Sequence, residues 1–253
     1  MKKKVIGLIP VRLKSKRLFE KPLLKLSNYP LFVHVYKRAK LSKFLDDVIV
    51  CCDDEKIARE ATKHNVKYLL TSKIHKNGTE RIYEGYIKNK KKYDFIVDIQ
   101  GDEPLLDPNH IDQVIKFHMK NNDSDIILPS LKINFNSDSK SIVKIVKNNN
   151  NDIVYLSRAK VPYFFRKRGI FLEKHLSIIS FKPNSLKKYV SSKISRLEKI
   201  EGIELLRALE IGLKIKSLNL SGDSFSIDIK SNYLLAKKKI STDKYYNIYK
   251  NES

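Results

Sequence analysis

The chain has 253 residues, 42% of them hydrophobic and 31% charged, with no tryptophan, which is the composition of a globular domain rather than a disordered or fibrous one. Its formal charge of +23 attracts polyanions and makes nucleotides, nucleic acids and acidic lipids candidate partners. Lysine is scattered with asparagine and isoleucine through nearly every segment, however, and no recognised nucleic-acid module lies among the lysines, so no dedicated nucleic-acid surface is expected.

In chain order, residues 5–9 form an apolar run closed by Pro10, and residues 47–51 and 95–99 have the same look. Runs without alternation read as buried, parallel strands. Cys51 and Cys52 are adjacent within one of these runs and make neither a disulfide framework nor a metal knuckle. Three lysines precede the first run, and the apolar stretch is too short for a signal peptide or membrane span. No membrane association and a cytoplasmic location are expected. Amphipathic stretches at helical spacing fill 31–41, 55–64 and 79–87. This alternation predicts an α/β fold, a doubly wound and mostly parallel sheet with its site at the carboxyl ends of the strands. From about residue 125 the pattern is mixed: 126–133, 142–147 and 153–156 read as strands without full helices between them. A small mixed β extension over about 125–195 is expected, then a helix across 197–213, a strand across 214–220 and a last helix after Asp228. No repeat or long linker divides the chain, so residues 1–253 read as a single domain.

Three segments can carry chemistry. The loop after the first strand holds Arg12, Lys14, Lys16, Arg17 and Lys21. Arginine forks across phosphate oxygens and lysine supplies a point charge. The alternative is a solvated loop in a lysine-rich chain, and the absence of Gly-Lys-Ser/Thr excludes a Walker loop. Asp98-Ile99-Gln100-Gly101-Asp102-Glu103-Pro104 follows an apolar strand and places carboxylates where a hard divalent cation can be held, although a Gly-Asp turn is also a common strand ending. Asp228, in Ser226-Ile227-Asp228-Ile229, is either a helix N-cap or a second metal ligand brought beside Asp102. Asn77-Gly78-Thr79-Glu80-Arg81 is likewise a helix start or a positioned arginine-carboxylate pair.

Together these motifs resemble one family. Pro10-x-Arg12, Ser15-x-Arg17-Leu18-x-x-Lys21-Pro22-Leu23, residues 77–81, the unchanged Gln100-Gly101-Asp102-Glu103-Pro104, Val143-Lys144, Ser157-Arg158-Ala159 and Lys174-His175-Leu176 are similar, in order, to the 3-deoxy-manno-octulosonate cytidylyltransferases, the CMP-Kdo synthetases. The resemblance implies a nucleotide-diphospho-sugar transferase-like fold and a homodimer. It also implies a magnesium-dependent reaction in which the anomeric hydroxyl of an acidic sugar attacks the α-phosphate of CTP. It places Arg12, Ser15, Arg17 and Lys21 at the triphosphate and Gln100 at cytosine. Asp102 and Asp228 fall on magnesium, Arg81, His175 and Glu204 at or near the sugar, and Lys21, Asp102 and Asp228 in the catalytic set.

The chain departs from the family where Pro-Gly-Lys-Pro-Leu becomes Phe19-Glu20-Lys21-Pro22-Leu23. It departs again where Gly-Ile-Tyr-Gly-Tyr becomes Ser177-Ile178-Ile179-Ser180-Phe181, and where a Glu-Gln pair becomes Glu204-Leu205. The stretch between Pro162 and Glu173 is also shorter, which bears on a dimer contact. Losing hydroxyl and amide groups changes which hydroxylated substrate a site prefers. A synthetase for another ulosonate, such as 8-amino-Kdo or a nonulosonate, is therefore the enzymatic alternative, and a basic RNA-binding protein the nonenzymatic one.

Overall fold

A computed structural model describes residues 2–15, 17–134, 141–165 and 171–252. Lys16 of the basic loop and residues 166–170 of the short stretch lie outside the described residues. The chain forms two compact units, Met1–Asp112 with Ser224–Ser253, and Gln113–Asp223.

The first unit begins with β1 (Val5–Val11), one turn of 3-10 helix (Lys21–Leu23), a small antiparallel pair β2 (Lys25–Leu26) and β3 (Tyr29–Pro30), and α1 (Leu31–Lys40). Strands and helices then alternate: β4 (Asp47–Cys52), α2 (Glu55–Lys63), β5 (Tyr68–Leu70), α3 (Gly78–Lys88) and β6 (Phe95–Ile99), and the following α4 (Pro108–Lys120) belongs to the first unit up to Asp112 and to the second from Gln113. The order β5-β4-β1-β6 is parallel throughout, because parallel neighbours need a crossover and the helices supply it. Val5, Ile6, Leu8 and Ile9 of β1 and Ile96, Val97 and Ile99 of β6 are wholly buried. Both faces of these strands are covered, hence the unbroken apolar runs. Strand β1 outruns its expected end at residue 9. Pairing with β6 stops at Leu8↔Asp98, whereas pairing with β4 continues to Val11↔Cys52. Pro10 thus falls where one neighbour has already left, and there a missing N–H is tolerated.

The second unit contains β7 (Ile126–Asn134), β8 (Lys144–Lys147), β9 (Ile153–Ser157), β10 (Phe171–His175), β11 (Ile178–Phe181), α5 (Pro183–Ser191), α6 (Arg196–Glu201), α7 (Leu205–Glu210) and β12 (Ile215–Leu220). Strand β7 is its hub, antiparallel to β10 and β11 and parallel to β12, while β8 joins β10 to β9. The helix expected over 197–213 is two short helices. Gly202 caps α6 at φ 62°, a left-handed position that ends a helix, and its N–H bonds Glu198 O at 2.8 Å. Arg207 of α7 reaches back to Glu198 of α6 with two bonds of 2.6 and 2.7 Å, so the apolar period runs on across a broken backbone.

The chain closes with α8 (Lys230–Ile240) and α9 (Lys244–Tyr249) in the first unit. The wholly buried His34 of α1 places Nδ1 2.8 Å from the Tyr249 hydroxyl, and Arg38 donates to Leu106 O at 2.9 Å while pairing with Asp243. Among the described residues no helix is long and apolar enough to cross a membrane.

Histidine burial gives these units a pH dependence. His34, His118 and His175 are each pushed down from 6.5 to about 4, by burial first in every case, with Arg158 and Lys174 adding to the effect at His175. They stay neutral in the folded chain but take up protons in the unfolded chain below pH 6.5. The stability present above pH 6.5 is therefore lost as pH falls toward about 4. Thermal melts are expected to show a Tm that declines steadily from pH 6.5 to 4.5, with a shallower slope in His118→Asn. A flat profile would contradict this assignment.

Candidate functional site

Three segments of the first unit meet over one apolar plug. Leu26, Leu31, Ile227 and Ala236 are wholly buried together, and Leu18, Leu24, Leu105 and Phe225 pack against them. Leu18 and Leu24 flank Lys21, Leu105 follows Asp102, and Ile227 precedes Asp228. Ile227 N also donates to Asp102 O at 2.9 Å. Burying these apolar residues therefore brings together charged groups that are far apart in sequence. Lys21 Nζ lies 2.7 Å from Asp102 Oδ2 and 3.3 Å from Asp228 Oδ1, across 81 and 207 positions. Arg17 Nη2 reaches the same Asp228 Oδ1 at 2.7 Å. The side chains of Lys21, Asp102 and Asp228 are 17%, 28% and 18% exposed, neither sealed from a ligand nor fully solvated. Asp228 is not an N-cap: that position in α8 belongs to Ile229, and no side chain caps the helix.

Asp102 and Asp228 are the carboxylates here that could hold a cation. Two hard oxygen ligands lie within reach of one Nζ, and among the described residues no group of three or more His, Cys, Asp or Glu gathers into a cage. A cation held by two carboxylates completes its shell with water and phosphate oxygens, as magnesium does. Asp98 belongs elsewhere. It is wholly buried, and both of its oxygens accept from Gln100 Nε2 at 2.9 Å, so the carboxylate available after β6 is Asp102.

The basic loop carries Arg12 and Lys14 exposed at the carboxyl end of β1, and Ser15 Oγ accepts from Leu18 N at 3.4 Å. Lys21 is anchored by its 3-10 turn, with Pro22 buried in the first turn and Lys21 N bonded to Leu18 O. Glu20, which stands where the resembled family has glycine, adopts φ 43° and ψ 41° and turns its carboxylate to Lys56. A left-handed non-glycine residue costs about 1 kcal/mol, and the exposed pair with Lys56 returns less than that. Glu20→Gly is thus expected to raise Tm by about 2 °C in differential scanning calorimetry. A fall would mean that the ion pair outweighs the strain.

Arg81, expected at the sugar, is turned inward: it is 3% exposed, and its guanidinium donates to Thr71 Oγ1 at 2.7 Å, Ser72 O at 3.2 Å and Asp53 Oδ2 at 3.1 Å. Asn77 caps α3 by accepting from Glu80 N at 2.8 Å. Residues 77–81 are therefore a helix start, and Arg81 within them pairs with Asp53 from outside the segment. The sequence reading missed Asp53. Its other oxygen accepts from Leu13 N at 2.9 Å, so it ties the basic loop to α3. The available signal was a carboxylate directly after an apolar strand, the same logic that singled out Asp102.

His175 and Glu204 belong to the second unit. His175 ends β10, and its Nδ1 is buried with no hydrogen-bond partner among the described residues. Its lowered pKa of about 4, set first by burial, makes it a neutral hydrogen-bonding group at neutral pH. Glu204 stands at the N-cap of α7. Of the departures, Phe181 is wholly buried and Ile179 and Leu205 are 7% and 5% exposed, so apolar packing has replaced the hydroxyls and the amide.

The Cytidylyltransferase family profile matches residues 6–215. The 3-deoxy-manno-octulosonate cytidylyltransferase of Thermodesulfovibrio yellowstonii is 38% identical, over 94% of this chain and 98% of that protein. The 8-amino-3,8-dideoxy-manno-octulosonate cytidylyltransferase of Shewanella baltica is 32% identical, over 93% and 98%. The solved structure of CMP:2-keto-3-deoxy-manno-octonic acid synthetase complexed with CTP superposes with a TM-score of 0.89 at 26% identity, covering 94% of this chain and 99% of that one. With the motifs in order, a profile match over most of the length and a superposable CTP-complexed neighbour, this chain belongs to the cytidylyltransferase family.

Proposed function

We propose that the protein transfers the cytidylyl group of CTP to an acidic 2-keto sugar, 3-deoxy-manno-octulosonate (Kdo), in the cytoplasm, supplying CMP-Kdo for lipopolysaccharide or capsule synthesis. The observation that carries this reading is the shared position of Lys21 between Asp102 and Asp228, with Arg17 on the same Asp228 oxygen, beside a basic loop at the end of β1. In the reaction the anomeric hydroxyl oxygen forms a bond to the α-phosphorus of CTP. The bond from that phosphorus to the bridging oxygen breaks, pyrophosphate leaves with the electron pair, and the hydroxyl proton is released.

An anionic sugar must approach a polyanionic nucleotide, and like unit charges 4 Å apart repel by about 1 kcal/mol in water but about 4 kcal/mol at an effective dielectric of 20. Arg12, Arg17 and Lys21 oppose that repulsion by neutralising phosphate, and Ser15 helps shape their loop. Asp102 and Asp228 would hold magnesium, which when bound stabilises charge on the phosphates. Gln100 meets the cytosine. Asp53 and Arg81 fix the basic loop from behind, while His175 and Glu204 are the polar groups assigned to the sugar. The homodimer belongs to the same reading; Val154, Tyr163, Phe165 and Phe171 are exposed apolar side chains of the second unit suited to contact with a second copy.

Burial of Ile179, Phe181 and Leu205 keeps 8-amino-Kdo as the second substrate to test. Pyrophosphate release is expected with CTP, magnesium and Kdo, several-fold faster than with 8-amino-Kdo or a sialic-type acid. Faster release with either of the others would reassign the sugar, and no release with any would overturn the reading.

A further inference from the structure

Asp98 is a buried carboxylate that phosphate, metal and sugar chemistry leave unused. It lies on β6, and alternation along an extended backbone puts it on the same face as Gln100 two residues on. Gln100 Nε2 is 2.9 Å from both Asp98 oxygens. An amide nitrogen only donates, so against an ionised Asp98 this contact is favourable in one orientation of the amide alone. Turned over, the amide oxygen would face two carboxylate oxygens, acceptors against acceptors.

The start of α3 also lies close to the amide. A Cβ added at Gly78, the first residue of α3, would lie 3.1 Å from Gln100 Nε2 and 3.2 Å from Pro10 Cγ, tighter than most side chains tolerate. The helix start is therefore packed against the amide and limits how far it can swing. With Nε2 committed to Asp98, Gln100 presents its oxygen as an acceptor. Cytosine carries an amino donor at C4, whereas uracil carries a carbonyl acceptor there, and two acceptors brought together in a partly dry site go unsatisfied.

We propose that Asp98 is a positioning residue that sets the preference for CTP over UTP by fixing the orientation of the Gln100 amide. This rests on the reading that Gln100 meets the base. Asp98→Leu, of similar bulk and without oxygens, is expected to lower the CTP/UTP ratio of kcat/KM about tenfold. It should lower the ratio of the two nucleotides' binding constants, measured by calorimetry without sugar, to the same extent. Asp98→Asn keeps an oxygen that accepts from Nε2 and should hold both ratios within about threefold of wild type. Where Asp98→Leu does not fold, Asp98→Ala removes the oxygens without adding bulk and carries the same test. Gln100→Leu separates the proposal from the reading beneath it. If Gln100→Leu leaves the ratios unchanged, Gln100 does not meet the base and the proposal falls with that placement. If Gln100→Leu lowers them while Asp98→Leu and Asp98→Ala do not, the placement stands and the role of Asp98 is overturned. The calorimetric arm reads the preference even where the sugar acceptor is not Kdo.

Discussion

Asp102→Asn is expected to cut CMP-sugar formation about a thousandfold, while CTP binding measured without metal holds or tightens. The two halves of this result come from one charge. A hard divalent cation bound by a pair of carboxylates supplies several kcal/mol of charge stabilisation, and about 4 kcal/mol is a factor of a thousand in rate. Asparagine keeps one oxygen but not the charge, so the pair Asp102 and Asp228 would no longer hold the proposed magnesium against water. Without the metal, the same carboxylate is an anion close to where a triphosphate must lie, and removing it relieves repulsion. Turnover and metal-free binding thus move in opposite directions, which loss of folding cannot produce. Asp228→Asn should behave alike, and the double variant should be little worse than either single one, because on the proposed reading both residues would serve one cation. Additive losses would mean that the two carboxylates act in separate places.

What was legible in the sequence was whatever depends on local pattern. The unbroken apolar runs of β1, β4 and β6 announce strands covered on both faces, and the observed bounds of β6 coincide with the expected 95–99. The broken helix at Gly202 and the helix α5 were less visible. The first depends on a single left-handed residue inside a continuing apolar period, and the second on a short segment with only Ser185, Leu186 and Tyr189 buried. In the site, residue type and order nominated Asp102 and Asp228. Nothing local decided whether Asp228 capped a helix, because Lys21, the lysine it pairs with, lies 207 positions away. Asp53 was passed over for the same reason: it bonds Leu13 and Arg81, 40 and 28 positions away. The inward turn of Arg81 was hidden too, since a motif gives a residue's position but not the direction of its side chain.

Lys21→Met is expected to lower kcat/KM for CTP by a factor of about 10² to 10³, the range found when one preorganised charge donor is removed from a developing anion. Its side chain is 17% exposed and stands on a 3-10 turn held by Pro22 and by the Lys21 N to Leu18 O bond, so little order has to be created when phosphate arrives. Arg17, 56% exposed, is worth less, and Arg17→Ala should cost about tenfold because a solvated cation is already screened and must lose its own freedom to bind. Lys21→Arg should not rescue. A guanidinium is larger and planar, and the space between Asp102 and Asp228 accepts a compact ammonium at 2.7 and 3.3 Å. Methionine keeps an unbranched apolar stem nearly as long as that of lysine, so Tm should change by only a few degrees. Steady-state kinetics with melting curves on the same preparations will decide. A loss below tenfold in Lys21→Met, or full activity in Lys21→Arg, would show that Lys21 serves only to balance the two carboxylates and does not act on the nucleotide.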